Sequence, residues 1–174
     1  MVGLGVVAAL VALGGVVVLA IALGPVREVS RRIAVPEPPD VVWHVLTDLD
    51  NLVTWRRGLT RVERLPDFGG RMAWMEYRGA EQEAVRVADA LPPRRLVTER
   101  VSAAGSRASW SWELVRTARG SELTLTRRVT LDPLSRRVMN ALMGQTSREV
   151  DQALADLTLR LQSASRLRTT ALNR

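Results

Sequence analysis

The chain opens on an unbroken apolar run. From Val2 to Gly24 there is no charged residue, and the stretch is almost entirely Val, Ala, Leu, Gly and Ile until Gly24-Pro25 ends it. About 20 apolar residues is the length of helix that spans a hydrocarbon core. Glycines within it (Gly3, Gly5, Gly14, Gly15) are tolerated there, because lipid offers the backbone no partner but itself. The run is too long and too apolar on every face for a core helix of one small domain. A cleavable signal peptide is the stronger rival, and Ala20-Ile21-Ala22 is a passable small-x-small site. Such peptides, however, carry a basic start and a shorter apolar core of about 7–15 residues, and no Arg precedes this run. Residues 1–25 are therefore predicted to be an uncleaved transmembrane anchor.

Beyond Pro25 the pattern changes to short alternating segments. Val26–Val35 reads as a first strand, stopped by Pro36-Glu37-Pro38-Pro39-Asp40. Asp40 is a plausible N-cap for a helix from Val41 whose Val41, Val42, Val45, Leu46 and Leu49 share one side. Asp48–Asn51 starts a turn, and Leu52–Arg57 is a second short helix. Strand signals then recur over Leu59–Leu65, Arg71–Arg78, Gln82–Ala90, Arg95–Val101, Ser106–Arg116 and Glu122–Leu131. Gly- and Pro-containing turns separate most of them, the signature of an antiparallel meander. After Asp132-Pro133 a long helix is predicted over about residues 134–163. Its stripe is Met139, Leu142, Met143, Val150, Ala153, Leu154, Leu157 and Leu161, and its other face carries Arg136, Arg137, Arg148, Glu149, Gln152, Asp156 and Arg160. The predicted organisation is an anchor (1–25), one α+β domain (26–163) and a basic flexible tail (164–174). A curved antiparallel sheet with one amphipathic helix laid across it buries that stripe economically.

Composition narrows the chemistry. The 174 residues leave about 150 for a domain, enough to bury a core unaided. There is no cysteine, so disulfides and thiolate metal sites are excluded, and His44 is the single histidine. Asp48 and Asp50 read as turn residues, so no metal and no cofactor are expected. The net charge is +7, and all 25 basic residues are arginine. They are dispersed, without the motif or aromatic interleaving of a nucleic-acid module, so no nucleic-acid partner is expected. Arg27, Arg31 and Arg32 directly follow the apolar run. The positive-inside rule then places the C-terminal domain at the inner face of a bacterial membrane.

Four stretches carry a family resemblance. They are Ile33–Trp43, with Pro36-Glu37-Pro38 before Val42-Trp43; Leu46–Asn51 followed by Trp55; Ala90–Leu96, with Pro92-Pro93-Arg94; and Gly120-Ser121-Glu122-Leu123-Thr124. Together with the element order they resemble the START-like superfamily, the polyketide cyclase/dehydrase and lipid transport family. The resemblance covers about residues 27–163 and implies a helix-grip fold, about seven strands curved around a long C-terminal helix with a ligand cavity between them. It does not settle activity, since one fold carries many functions.

The candidate pocket-lining residues are Trp55, Trp74, Glu76, Arg78, Trp110, Trp112, Arg127, Met139 and Met143. The tryptophans, with Trp43, also suit core packing, because aromatics dominate cores. Met139 and Met143 combine core packing with an adaptable roof. Glu76 and Arg78 share a strand face with Met72 and Trp74, and Arg127 with Leu123, Leu125 and Val129. If these faces point inward, their charges must pair or serve a ligand; exposure at the rim is the blander alternative. Arg56 and Arg57 are expected to face solvent or the bilayer. His44 lacks a positioned partner other than Asp48, so catalysis by it is disfavoured. The favoured function is binding of a lipid or other apolar small molecule in an internal cavity, as a membrane-tethered carrier or sensor. A polyketide cyclase- or aromatase-like enzyme, using Glu76, Tyr77, Arg78 and Arg127, is the first alternative. A membrane-bound interaction module without ligand is the second.

Overall fold

The computed structural model describes residues 26–102, 107–130 and 144–172. Its elements follow the predicted order: β1 (Val26–Val35), α1 (Pro39–Thr47), a 3-10 turn (Leu49–Asn51), α2 (Leu52–Trp55), β2 (Arg61–Phe68), β3 (Arg71–Arg78), β4 (Glu81–Leu91), β5 (Arg95–Ser102), β6 (Arg107–Thr117), β7 (Gly120–Thr130) and α3 (Gln145–Leu172). The strands form one seven-stranded antiparallel sheet in the order β1-β7-β6-β5-β4-β3-β2. Hairpins join β2 through β7 in sequence, and β1 returns to the free side of β7. The predicted anchor and the predicted helical start at 134–143, with Met139 and Met143, lie outside the described residues. Among the described residues no helix is long and apolar enough to cross a membrane.

Turn chemistry fixes the register. Gly69 and Gly70 have φ of +61° and +72°, the pair of positive values that a tight hairpin matching the strand twist requires. Alternation then sorts each strand onto two faces. The inner face carries Trp74 and Glu76 of β3, Val85 and Val87 of β4, Thr98 and Arg100 of β5, Trp110, Trp112 and Leu114 of β6, and Leu123, Leu125 and Val129 of β7, all buried. Helix α3 covers that face with Val150, Ala153, Leu154, Leu157 and Leu161, a stripe at helical spacing. Helix α1 adds Val42 and Leu46, while His44 on its other side is exposed. Each such aliphatic contributes about 1.5–3 kcal/mol when fully buried.

Two expectations are corrected at helix ends. The cap of α1 is Pro38, with Pro39 in the first helical position. Proline suits that position because the N–H it lacks would have no partner there. Asp40 instead sits in the first turn, where a carboxylate is favoured by the helix dipole. Helix α3 runs on to Leu172, through most of the stretch predicted to be a flexible tail. Residues 163–172 contain no Pro or Gly and are rich in Ala, Leu and Arg, which are good helix formers.

Candidate functional site

The inner face is not uniformly apolar. At its centre, between α2, β3 and β5, Glu76 is 1 % exposed. The two-residue period of β3 puts Trp74, Glu76 and Arg78 on one face, and the same period on β5 puts Arg100 with Leu96 and Thr98. Arg56 arrives from another direction. At the end of α2 the backbone turns extended at Arg56 (φ −83°, ψ 110°), sending Arg56 inward and leaving Arg57 exposed.

Four donors meet the Glu76 carboxylate. Arg56 Nη1 donates to Oε1 at 2.9 Å, Trp74 Nε1 to Oε1 at 3.1 Å and Arg78 Nη2 to Oε2 at 2.8 Å. Arg100 Nη2 lies 3.1 Å from Oε1 and 3.0 Å from Oε2. Burial alone pushes this carboxyl up, but Arg56, Arg100 and the bond from Arg78 outweigh it and hold it at about 2. Burial, helped by Arg100 and opposed by Glu76, brings the Arg56 guanidinium down to about 10. Arg100 is lowered by burial against the pull of Glu76. Glu76 and Arg56 therefore stay charged at neutral pH.

A second layer extends the cluster to the helix. Arg127 pairs with Glu149 of α3, and burial lowers its guanidinium while Glu149 opposes. Arg57 donates from its backbone N–H to Asp156 Oδ2 at 2.9 Å, and its Nη2 lies 3.1 Å from Oδ1. Arg100 and Arg127 lie over the Trp110 ring, 5.3 and 4.9 Å from its centroid. Trp110 and Trp112 stack with centroids 6.4 Å apart.

Of the predicted residues, the structure brings Trp55, Trp74, Glu76, Arg78, Trp110, Trp112 and Arg127 to this interior. Glu76 is fully buried, so the rim alternative fails for it. Tyr77 faces the other way and donates to Glu63 at 3.0 Å. Arg56, expected at the surface, is a correction: its bond to Glu76 draws it in. Arg100, Glu149 and Asp156 were missed as site residues. The alternation Leu96, Thr98, Arg100 was the available signal for Arg100. No such local signal marks Arg56.

Five buried N–H groups find no acceptor among the described residues: Trp55 Nε1, Arg78 Nε, Arg100 Nε, Trp110 Nε1 and Arg127 Nε. All five are donors. Each such group costs about 1–3 kcal/mol while unpaired, so the site is built to meet oxygen acceptors. The spaces beside them are small. One of about 30 Å³ lies between Trp55, Trp74, Arg100 and Trp110. Another of about 70 Å³ lies at the seam with α3, lined by Arg56, Arg78, Arg100 and Gln152. Neither reaches the ~300–1,000 Å³ of a ligand pocket. The interior that was expected to be a roomy apolar cavity is, over the described residues, occupied by tryptophan and by the ion cluster. A larger recess of about 680 Å³ lies mainly on the opposite face of the sheet, by Leu65, Phe68, Ala73, Ala84 and Arg86. Among the described residues no group of three or more His, Asp or Glu is placed to hold a metal ion.

A sheet closed by one long helix, with a polar cluster buried between them, defines a START-like, helix-grip fold. The chain belongs to the polyketide cyclase / dehydrase and lipid transport family, whose model matches residues 26–162. Among solved structures it is similar to the Zhui aromatase/cyclase from Streptomyces sp. R1128, at 17 % identity and a TM-score of 0.63, covering 79 % of this chain and 94 % of that one. It is similar to a protein of unknown function, SA2116 from Staphylococcus aureus, at 10 % identity and a TM-score of 0.65, covering 81 % and 96 %. It also matches about half of the di-domain ARO/CYC StfQ from the steffimycin biosynthetic pathway, at 13 % identity and a TM-score of 0.66, covering 80 % of this chain and 52 % of that one. At these identities the likeness is one of fold. Among curated proteins no relative matches the chain.

Proposed function

We propose that this domain binds an apolar small molecule carrying oxygen acceptors, as a carrier or sensor, and is held at the inner face of a membrane by residues 1–25. The observation that carries the reading is the set of five buried donors lacking acceptors. A ligand carbonyl, carboxylate or phosphate satisfies such groups, whereas a plain hydrocarbon leaves them unpaired. The Glu76 carboxylate is committed to three arginines, so it orients donors and is poorly suited to shuttling protons near neutral pH. That favours binding over acid–base catalysis.

A second reading, an aromatase/cyclase-like enzyme, rests on the same donors. Guanidinium and indole N–H groups aimed at one region would stabilise an enolate oxygen as it forms, and two of the structures of similar fold are named as aromatase/cyclases. One experiment separates the readings. The full chain, taken into lipid nanodiscs without detergent carry-over, is subjected to native mass spectrometry and then incubated with a poly-β-ketone thioester mimic. A co-purifying molecule with oxygen functions, and a mimic recovered unchanged, support the carrier. Loss of water from the mimic, abolished in Arg100→Gln, supports the enzyme. An empty protein that binds neither sinks both.

A further inference from the structure

The seam space shares its wall with a second hollow. Arg56, Arg57 and Asp156 line both the 70 Å³ space at the cluster and a groove of about 470 Å³ between α2 and α3. The groove is lined by Val53, Leu59 and Leu159. Val53 is 38 % exposed and Leu159 is 56 % exposed, although both sit on helices whose other faces are packed. Trp55 bridges the regions, since its ring borders both the groove and the inner 30 Å³ space while its Nε1 has no acceptor.

The two spaces differ in chemistry and size. The seam space has room for about two water-sized groups and is lined by Arg56, Arg57, Arg78 and Arg100, with Glu149 and Asp156 beside them. The outer one falls in the size range of small-molecule sites and sets the aliphatic Val53, Leu59 and Leu159 among Thr54, Arg57, Asp156, Arg160 and Ser163. The acids nearby are already neutralised: Asp156 takes two contacts from Arg57, Glu149 pairs with Arg127 and Glu76 is shared by three arginines. Arg100 is 7 % exposed, and its Nε remains unpaired at the inner space. Charge and shape together call for a molecule with a small anionic head and one apolar chain.

We infer that the ligand is a carboxylate-headed amphiphile, its head entering the seam at Arg56 and its chain lying in the groove formed by Val53, Leu59 and Leu159. The inference rests on the binding reading above and adds the chemical class and the port. A carboxylate is the smallest of the common anionic heads and suits so small a space. The chain stays at the surface of the domain, where it exchanges with a lipid bilayer without opening the packed tryptophan interior.

The test uses the full chain in phosphatidylcholine nanodiscs and a dodecanoate with a photoreactive diazirine near its far end. Crosslinked peptides are mapped by mass spectrometry. Labelling is expected within residues 52–60 and 156–163, competed by unlabelled dodecanoate, at least tenfold less by dodecanol, and not by acetate. Leu159→Ser, at an exposed position that should leave the fold intact, is expected to lower that labelling at least threefold. Arg56→Gln is expected to erase the preference for dodecanoate over dodecanol. Equal competition by dodecanol overturns the head site, and equal competition by acetate overturns the tail site. Labelling of the domain only outside these segments overturns the port while leaving the binding reading in place. Absence of domain labelling, together with absence of any co-purifying small molecule, overturns both.

Discussion

At the scale of single residues, Glu76 is the position on which the interior depends. Its carboxylate lets three arginines share a nearly dry space, and removing it leaves like charges facing one another. Loss of one partner from a buried ion cluster costs about 3–5 kcal/mol. Glu76→Ala should therefore lower unfolding free energy by about that much in urea titrations, with Glu76→Gln intermediate. The sign of the pH dependence follows from the same geometry. The folded carboxyl sits at about 2 against an ordinary value of 4.5. Its stabilisation is present above the ordinary value and is lost as pH falls from about 4.5 toward 2. Urea midpoints measured across that window should fall with acid in the wild type and much less in Glu76→Gln. A flat wild-type profile would mean that the cluster is not ionised as described. Gly120 is the second sensitive residue. It has a φ of +135°, and a Cβ there would lie 2.2 Å from the Val35 carbonyl oxygen and 2.6 Å from Pro36. Gly120→Ala should destabilise by about 2 kcal/mol or more. Gly79→Ala, where the added carbon meets nothing within 4 Å, should cost only about 1 kcal/mol.

At the scale of elements, α3 shows what periodicity reveals and what it hides. Its buried stripe of Val150, Ala153, Leu154, Leu157 and Leu161 was legible because each position is apolar and spaced to share a face. Leu157→Ala should cost about 2–5 kcal/mol, since the side chain is fully buried. Leu159→Ala should change stability by less than about 0.5 kcal/mol; a large loss there would mean that the groove is part of the core. The strands were legible for the same reason, with boundaries off by up to three residues where hairpins tightened at Gly69-Gly70 and Gly120. The candidate site was only half legible. Trp74, Glu76 and Arg78 announce themselves by sharing one strand face. Arg56 sits in a turn next to Arg57, and nothing local distinguishes the two. Which one turns inward is set by Glu76, 20 residues on, and by Asp156, 99 residues on, which holds the Arg57 backbone. Long-range pairing of this kind leaves no periodic trace. The C-terminal end of the helix lies beyond the predicted boundary at residue 163, because the Ala, Leu and Arg of the following stretch carry good helix propensity among its polar residues.

At the scale of the whole molecule, the described sheet and the family match both begin at Val26, so removing residues 1–25 takes away no strand of the described sheet. The shortened chain should keep its far-ultraviolet circular dichroism and leave the membrane pellet for the supernatant; an aggregated or unfolded product would defeat the proposed tether. For the proposed anchor, orientation would be decided earlier, during insertion. In the folded domain Arg31 pairs with Asp151 and Arg32 with Glu122, which neutralises two of the charges that follow residue 25. Both partners are synthesised long after the first 32 residues, so at insertion Arg27, Arg31 and Arg32 act as full positive charges. The inside rule counts such charges within about 15–20 residues of a span. A green fluorescent protein fused after Arg174 should therefore fluoresce, and an alkaline phosphatase fused there should be inactive. Changing all three arginines to glutamate should move a measurable fraction of molecules to the opposite topology. The fold should survive that change, because exposed ion pairs such as these contribute only about 0–1 kcal/mol each. Phosphatase activity from the unmodified chain would place the domain outside, and the anionic inner leaflet could then play no part in presenting its groove.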